Sequence, residues 1–183
     1  MSRRPADGFT LLELVVALAV FAVLATLAYG SLGRLLGARE QLAARADALG
    51  QMQLTFSLLE RDCLGAVQRP VRDELGDREP ALRRAPDGSL EITHGGWSNP
   101  LDQPRAQLQR VRWQLRGGVL YRDAWPVLDR VPGSTPQAQR VLAGVTRFQV
   151  DIDSSHAERA VRVRLDLPLF GHIERLLPVS GDA

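Results

Sequence analysis

Lysine is missing from this chain, so all 23 of its basic side chains are arginine. We read that bias as genomic base composition, although arginine's planar, two-point contact with carboxylates does suit ion pairs where subunits meet. Cysteine is nearly missing too. The single Cys63 excludes an internal disulfide and leaves the redox compartment open. A strong charge of either sign is also lacking: the net charge is +2, of which Arg3 and Arg4 less Asp7 supply +1. A near balance of this kind does not establish a nucleic-acid face. Between Phe9 and Gly33 charge almost disappears, with Glu13 the one ionisable carboxylate or base in the stretch. A helix over those residues would be roughly 37 Å long, enough to cross a hydrocarbon core of about 30 Å.

Glu13 therefore needs a reason. A carboxylate inside a membrane span costs about 2.5–3.5 kcal/mol on insertion scales, and such a group marks function and requires a partner. An amine would serve. If the chain is cut between Gly8 and Phe9, the freed α-amino group of Phe9, which titrates near about 8 in water, carries a positive charge. Residues 9 and 13 lie one helical turn apart, so Glu13 reaches either its own N-terminus or that of a subunit shifted along the axis. An ordinary signal peptide shares the basic start and apolar run. It has no use for Glu13, and no persuasive small-x-small cleavage site follows this longer apolar stretch.

Arg3 and Arg4, then Gly8, Phe9 and Glu13, resemble the class III signal of type IV pilins and type II secretion pseudopilins. The resemblance implies that a prepilin peptidase cuts between Gly8 and Phe9, that the Phe9 amine is methylated, and that Glu13 acts in assembly. The two arginines ahead of the span favour a cytoplasmic N-terminus, with the remainder sent across the inner membrane into the periplasm.

Helical rhythm continues beyond the span. Leu35, Leu42, Leu49, Phe56 and Cys63 recur every seven residues, which predicts one helix from about Phe9 to about Asp62, roughly 80 Å if continuous. Gly30, Gly33, Gly37 and Gly50 each cost about 1 kcal/mol relative to alanine, so a bend or local melting is expected just outside the membrane. Residues 49–63 are expected to lie on the chain's own sheet, and the membrane-proximal half to meet other subunits. Cys63, at a heptad position, reads as a buried, inert thiol.

Past Gly65 the period changes. Arg69 to Gly88 is proline-rich and charged and reads as an irregular surface segment. Leu90 to Thr93 is a short strand. Val111, Trp113 and Leu115 alternate with Arg110, Arg112 and Gln114, and Gly117-Gly118 then leads into Val119 to Tyr121, a hairpin. Phe148, Val150 and Ile152 form one strand and Val161, Val163, Leu165 and Leu167 another, joined by Ser154 to Glu158. Ile173 to Val179 adds an edge strand. Strands with one apolar face fit an antiparallel sheet packed on a helix. The fold class is α+β and pilin-like. The division is a leader at 1–8, a membrane and fibre-core helix at 9–31, a periplasmic helical half at 32–63 and a globular domain at 64–183.

Several segments of that domain narrow the family: Glu60-Arg61-Asp62, Arg69 to Leu75, Gly95 to Leu101, Leu108 to Trp113 and Val127 to Arg130. Together they resemble the J-type minor pseudopilins of type II secretion, the GspJ family, over nearly the whole chain. The resemblance implies a mechanical part and not an enzyme. Its implied partners are the I-type and K-type minor pseudopilins at the pseudopilus tip, the H-type subunit, the major pseudopilin and the prepilin peptidase. The implied function is assembly initiation and export of folded exoproteins across the outer membrane. No cofactor, metal, nucleic acid or small-molecule substrate is expected.

Rival readings carry less. A minor pilin of a type IV pilus shares the N-terminal signal, but adhesive members often carry a C-terminal disulfide that one cysteine cannot form. For an enzyme, the HExxH, paired CxxC and Gly-x-Ser-x-Gly patterns are absent, and His94, His156 and His172 are scattered. His94-Gly95-Gly96 is similar to an esterase oxyanion segment and Gly96 to Pro100 to a nucleophile elbow. Pro100, however, replaces the second glycine and obstructs a helix start. The glycines read instead as a turn before Trp97, whose ring fills a core or contact pocket. Asp73, Glu74, Asp77 and Glu79 lack a calcium-loop pattern and read as surface charge. Trp113, Trp125 and Tyr121 lie on strands and read as core or subunit contacts, not as a base-stacking platform.

Overall fold

A computed structural model describes residues 10–95, 107–153 and 159–180. Among the described residues one α-helix, α1 (Leu11–Leu64), precedes ten strands. The chain divides into two compact units, residues 1–49 and 50–183.

In the first unit the helix exposes its leucines and valines on every side, Leu11, Val15, Leu18, Phe21, Leu24 and Leu27 among them. A helix apolar all round needs a nonaqueous or protein surround. This is the one helix among the described residues long and apolar enough to cross a membrane. Gly30, Gly33 and Gly37 remain helical, so the melting expected there is not seen. Leu35, Leu42 and Leu49 are exposed, and no part of this unit's heptad stripe is buried.

In the second unit the stripe changes role, because Phe56, Leu59 and Cys63 are buried in a core shared with two sheets. Strands β3 (Leu82–Arg84), β4 (Leu90–His94), β5 (Gln109–Arg116), β6 (Val119–Trp125) and β7 (Gln137–Ala143) form a five-stranded antiparallel sheet in that order. Strands β8 (Arg147–Asp153), β9 (Ala160–Leu167) and β10 (Gly171–Pro178) form a three-stranded sheet with β10 at its edge. The expected edge strand is therefore present. The joining segment Ser154 to Glu158 lies outside the described residues.

Inward residues of both sheets meet the helix: Leu90, Ile92, Val111, Trp113 and Leu120 from one, Val150, Val161, Val163 and Leu165 from the other. Burying each leucine, isoleucine or valine contributes about 1.5–3 kcal/mol. Gly117 and Gly118, at φ 55° and 75°, make the two-residue turn between β5 and β6. Positive φ at both positions defines a type I′ turn, whose twist matches that of the flanking strands. Gly65 ends the helix by close approach: a Cβ there would sit 3.2 Å from the Arg61 carbonyl and 3.3 Å from that of Gly95.

Two expectations need correction. The stretch 69–88 is not irregular: it holds β1 (Val71–Arg72) paired with β2 (Arg78–Glu79), then β3. Backbone pairing and the buried Val71, Glu79 and Ala81 order it without a sustained hydrophobic period. Strand β7 was also unmarked in the sequence. It lies at the edge of its sheet with five of its seven residues exposed, so it needs no alternation. Its pairing with β6 slips once, Leu120 facing Leu142 and Tyr121 facing Arg140, which leaves Val141 as the extra residue of a bulge.

Candidate functional site

Gly8 and Phe9 lie outside the described residues, as does the Gly96 to Leu101 stretch with Trp97 and Ser98. Glu13 is in the first turn of α1. Its backbone N–H donates to Thr10 Oγ1 at 3.3 Å, and the Leu14 N–H donates to the Thr10 carbonyl at 3.3 Å. Threonine at the cap with glutamate three residues on is the capping-box spacing, which satisfies free amides at a helix start.

The second constellation fastens the end of α1 to the five-stranded sheet. Asp62 is fully buried. One of its oxygens accepts from Trp113 Nε1 at 2.8 Å and from Arg122 Nε at 2.8 Å, and the other accepts from Arg122 Nη2 at 2.9 Å. His94 completes the group. Its Nδ1 lies 2.9 Å from the Gly95 carbonyl, which can only accept, so Nδ1 is the donor and Nε2 is left to accept from Arg122 Nη2 at 3.3 Å. A buried charge pair repays its desolvation only when its hydrogen bonds are filled, and here three donors converge on one carboxylate. The sheet face beside this group is a groove of about 960 Å³ between α1 and β7.

The opposite face of the same sheet carries an arginine and glutamate cluster. Fully buried Arg110 donates to Glu91 at 2.9 Å, to the carbonyls of Pro80 and Ala81 at 3.0 and 2.7 Å, and to Thr93 Oγ1 at 3.1 Å. Glu91 also accepts from Arg83 at 3.1 Å and Arg112 at 2.8 Å. Glu79 accepts from Arg83 and Arg130. Burial pushes the Glu91 carboxyl up, but the charges of Arg110 and Arg112 and the hydrogen bonds from Arg83 and Arg110 outweigh it and hold the group at about 2. Trp125 is flanked by Arg112 and Arg130, 5.1 and 5.0 Å from its ring centre, and Arg116 covers Tyr121 at 4.1 Å. These rings are occupied by the chain's own arginines.

Two of the four acids weighed for metal binding have other work, and Glu79, expected as surface charge, is instead buried. The Asp73 carboxylate accepts from the backbone of Leu75 and Asp77, shaping the β1–β2 turn, and Glu79 belongs to the arginine cluster. Cys63 is buried, and burial, followed by the charges of Asp62 and Glu60, pushes its thiol up to about 12. The sequence alone marks no role for Asp62 or His94 in fastening the helix, and its alternation sets Arg110 on the face opposite Val111 and Trp113. The signal for Arg110 lay in Glu91 and Thr93, which sit across from Arg112 and Arg110 in the β4–β5 ladder.

An apolar helix whose C-terminal part packs on antiparallel sheet defines a pilin-like α+β protein. The same fold is found in the solved complex of GspK, GspI and GspJ from enterotoxigenic Escherichia coli: one of its chains matches with TM-score 0.63 and 30% identity, over 74% of this chain and 99% of that one. The prokaryotic N-terminal methylation motif matches residues 3–29, and the model of the type II secretion system protein J family matches residues 30–179. Type II secretion system protein J of Escherichia coli is 34% identical, and that of Klebsiella pneumoniae 30%, each aligned over 98% of both chains. The chain belongs to the type II secretion system protein J family. That family is a structural component of the secretion apparatus, so the relatives favour secretion over the type IV pilus reading.

Proposed function

We propose that this chain is a minor pseudopilin of the pseudopilus tip, assembling with I-type and K-type subunits to initiate the fibre that exports folded proteins across the outer membrane. The observation that carries the reading is the match, over nearly the whole solved chain, to a complex of GspK, GspI and GspJ. An H-type subunit would join the tip to the major pseudopilin.

Residues 1–8 are the leader. The prepilin peptidase cuts between Gly8 and Phe9 and the new amine is methylated. The helix at 9–31 holds the subunit in the inner membrane as a single pass. In the fibre it exchanges lipid for helix contacts, while residues 32–63 and the domain at 64–183 occupy the periplasm. Glu13 and the Phe9 amine then neutralise one another in an apolar surround. A desolvated carboxylate is costly unless paired, so assembly and pairing are coupled.

The test is Glu13→Ala in a strain lacking the native protein. The variant should enter the membrane normally yet fail to join the fibre, and secretion should fall. Normal secretion with Glu13→Ala would overturn the role of Glu13. An unprocessed N-terminus in cells with active peptidase would overturn the reading as a whole.

A further inference from the structure

The groove beside α1 has features that the helix-to-sheet lock does not use. Its floor is made by Arg122 and Ala124 of β6 with Gln109 of β5, and its walls by Glu60, Arg61 and Leu64 of α1 and Gln137 to Gln139 of β7. Ala124 in the floor and Gly95 beside it carry little or no side chain, so a polypeptide backbone can approach the sheet. Small-molecule pockets run about 300–1,000 Å³, which puts this groove at the upper end and gives it room for several residues.

Arg122 sets the chemistry. Asp62 holds its Nε and Nη2 in a fixed plane, and His94 takes a further hydrogen bond from Nη2. Nη1 has no partner among the described residues, although Arg122 as a whole is buried in the groove floor. A guanidinium pinned on one side by a carboxylate is preorganised on the other, so binding there loses little side-chain freedom. Arg61 adds a second, exposed guanidinium on the helix wall, and Gln137 and Gln139 add amide donors on the strand wall. Glu60 is the one exposed carboxylate among the lining residues.

We propose that this groove docks an acidic segment of a partner protein, with one carboxylate seated against Arg122 Nη1 and Arg61 reinforcing it from the rim. An acidic side chain fits better than a neutral one, because charge-assisted bonds to a guanidinium are about twice as strong as neutral ones. The proposal goes beyond the pseudopilin reading and does not depend on which subunit supplies the acid. Loss of tip assembly and loss of peptide binding are separate results.

The experiment uses the full chain in detergent micelles with nitrogen-labelled arginine, titrated with an acetylated tetraglutamate peptide and, in parallel, with tetraglutamine. Saturable shifts of the Arg122 side-chain resonances by tetraglutamate alone are expected, with Arg147, outside the groove, unmoved. Arg122 itself is a poor site for substitution, since it also holds Asp62. The rim variants Gln139→Glu and Arg61→Ala leave that lock in place and should each weaken binding, the first by about tenfold or more, the scale of a close like-charge contact. An Arg122 signal that does not move, equal shifts with tetraglutamine, or unchanged affinity in both rim variants would overturn the proposal.

Discussion

Asp62 and Arg122 stand 60 positions apart in the chain and meet fully inside the protein, joined by hydrogen bonds of 2.8 and 2.9 Å. The pair, with Trp113, fixes where the end of α1 sits on the sheet. Replacing one member strands the other. Asp62→Ala leaves a buried indole N–H without an acceptor and a buried guanidinium with His94 Nε2 in place of its carboxylate, and should cost about 3–5 kcal/mol. Trp113→Phe removes a single donor and should cost less, about 1–3 kcal/mol, with part of that from lost packing. Urea unfolding of the full chain in detergent measures both. An Asp62→Ala loss below about 1 kcal/mol, the worth of an exposed pair, would refute the lock.

Acid should loosen the opposite face through Glu91. Its folded carboxyl sits at about 2, against an ordinary value of 4.5, so the unfolded chain takes up a proton first as the pH falls. The stabilisation is complete above pH 4.5 and is lost as the pH drops towards 2. By linkage it amounts to about 3 kcal/mol. Unfolding free energy measured across that window should fall steeply for the native chain and less steeply for Glu91→Gln. Equal slopes would show that Glu91 is not the group responsible.

Cys63 should be silent in the folded protein. Its thiol is buried and pushed up to about 12, so little thiolate forms near neutral pH. Maleimide labelling of the native chain should be slow and should become rapid in denaturant. Labelling at the rate of a free, exposed cysteine before unfolding would contradict this placement.

Much of the fold was legible because its signals were periodic. The seven-residue stripe through Phe56 and Cys63 located the helix, Gly117-Gly118 located the hairpin, and the alternation around Val163 located β9. Glu13 stood out for the opposite reason, as a charge in apolar sequence. What escaped notice depended on contacts distant in sequence. Asp62 looks like any polar residue near a helix end until Trp113 and Arg122 are folded against it. Arg110 alternates as a solvent-facing residue should, yet carbonyls of Pro80 and Ala81 cover it. Strand β7 shows no pattern because an edge strand with exposed side chains is not constrained to one.

Co-expression with the I-type and K-type pseudopilins of the same secretion system tests the central claim most directly. A tag on this chain alone should bring both partners through gel filtration in a single species, whose measured mass accounts for all three chains. Three proteins that elute separately, each at its own mass, would contradict the account.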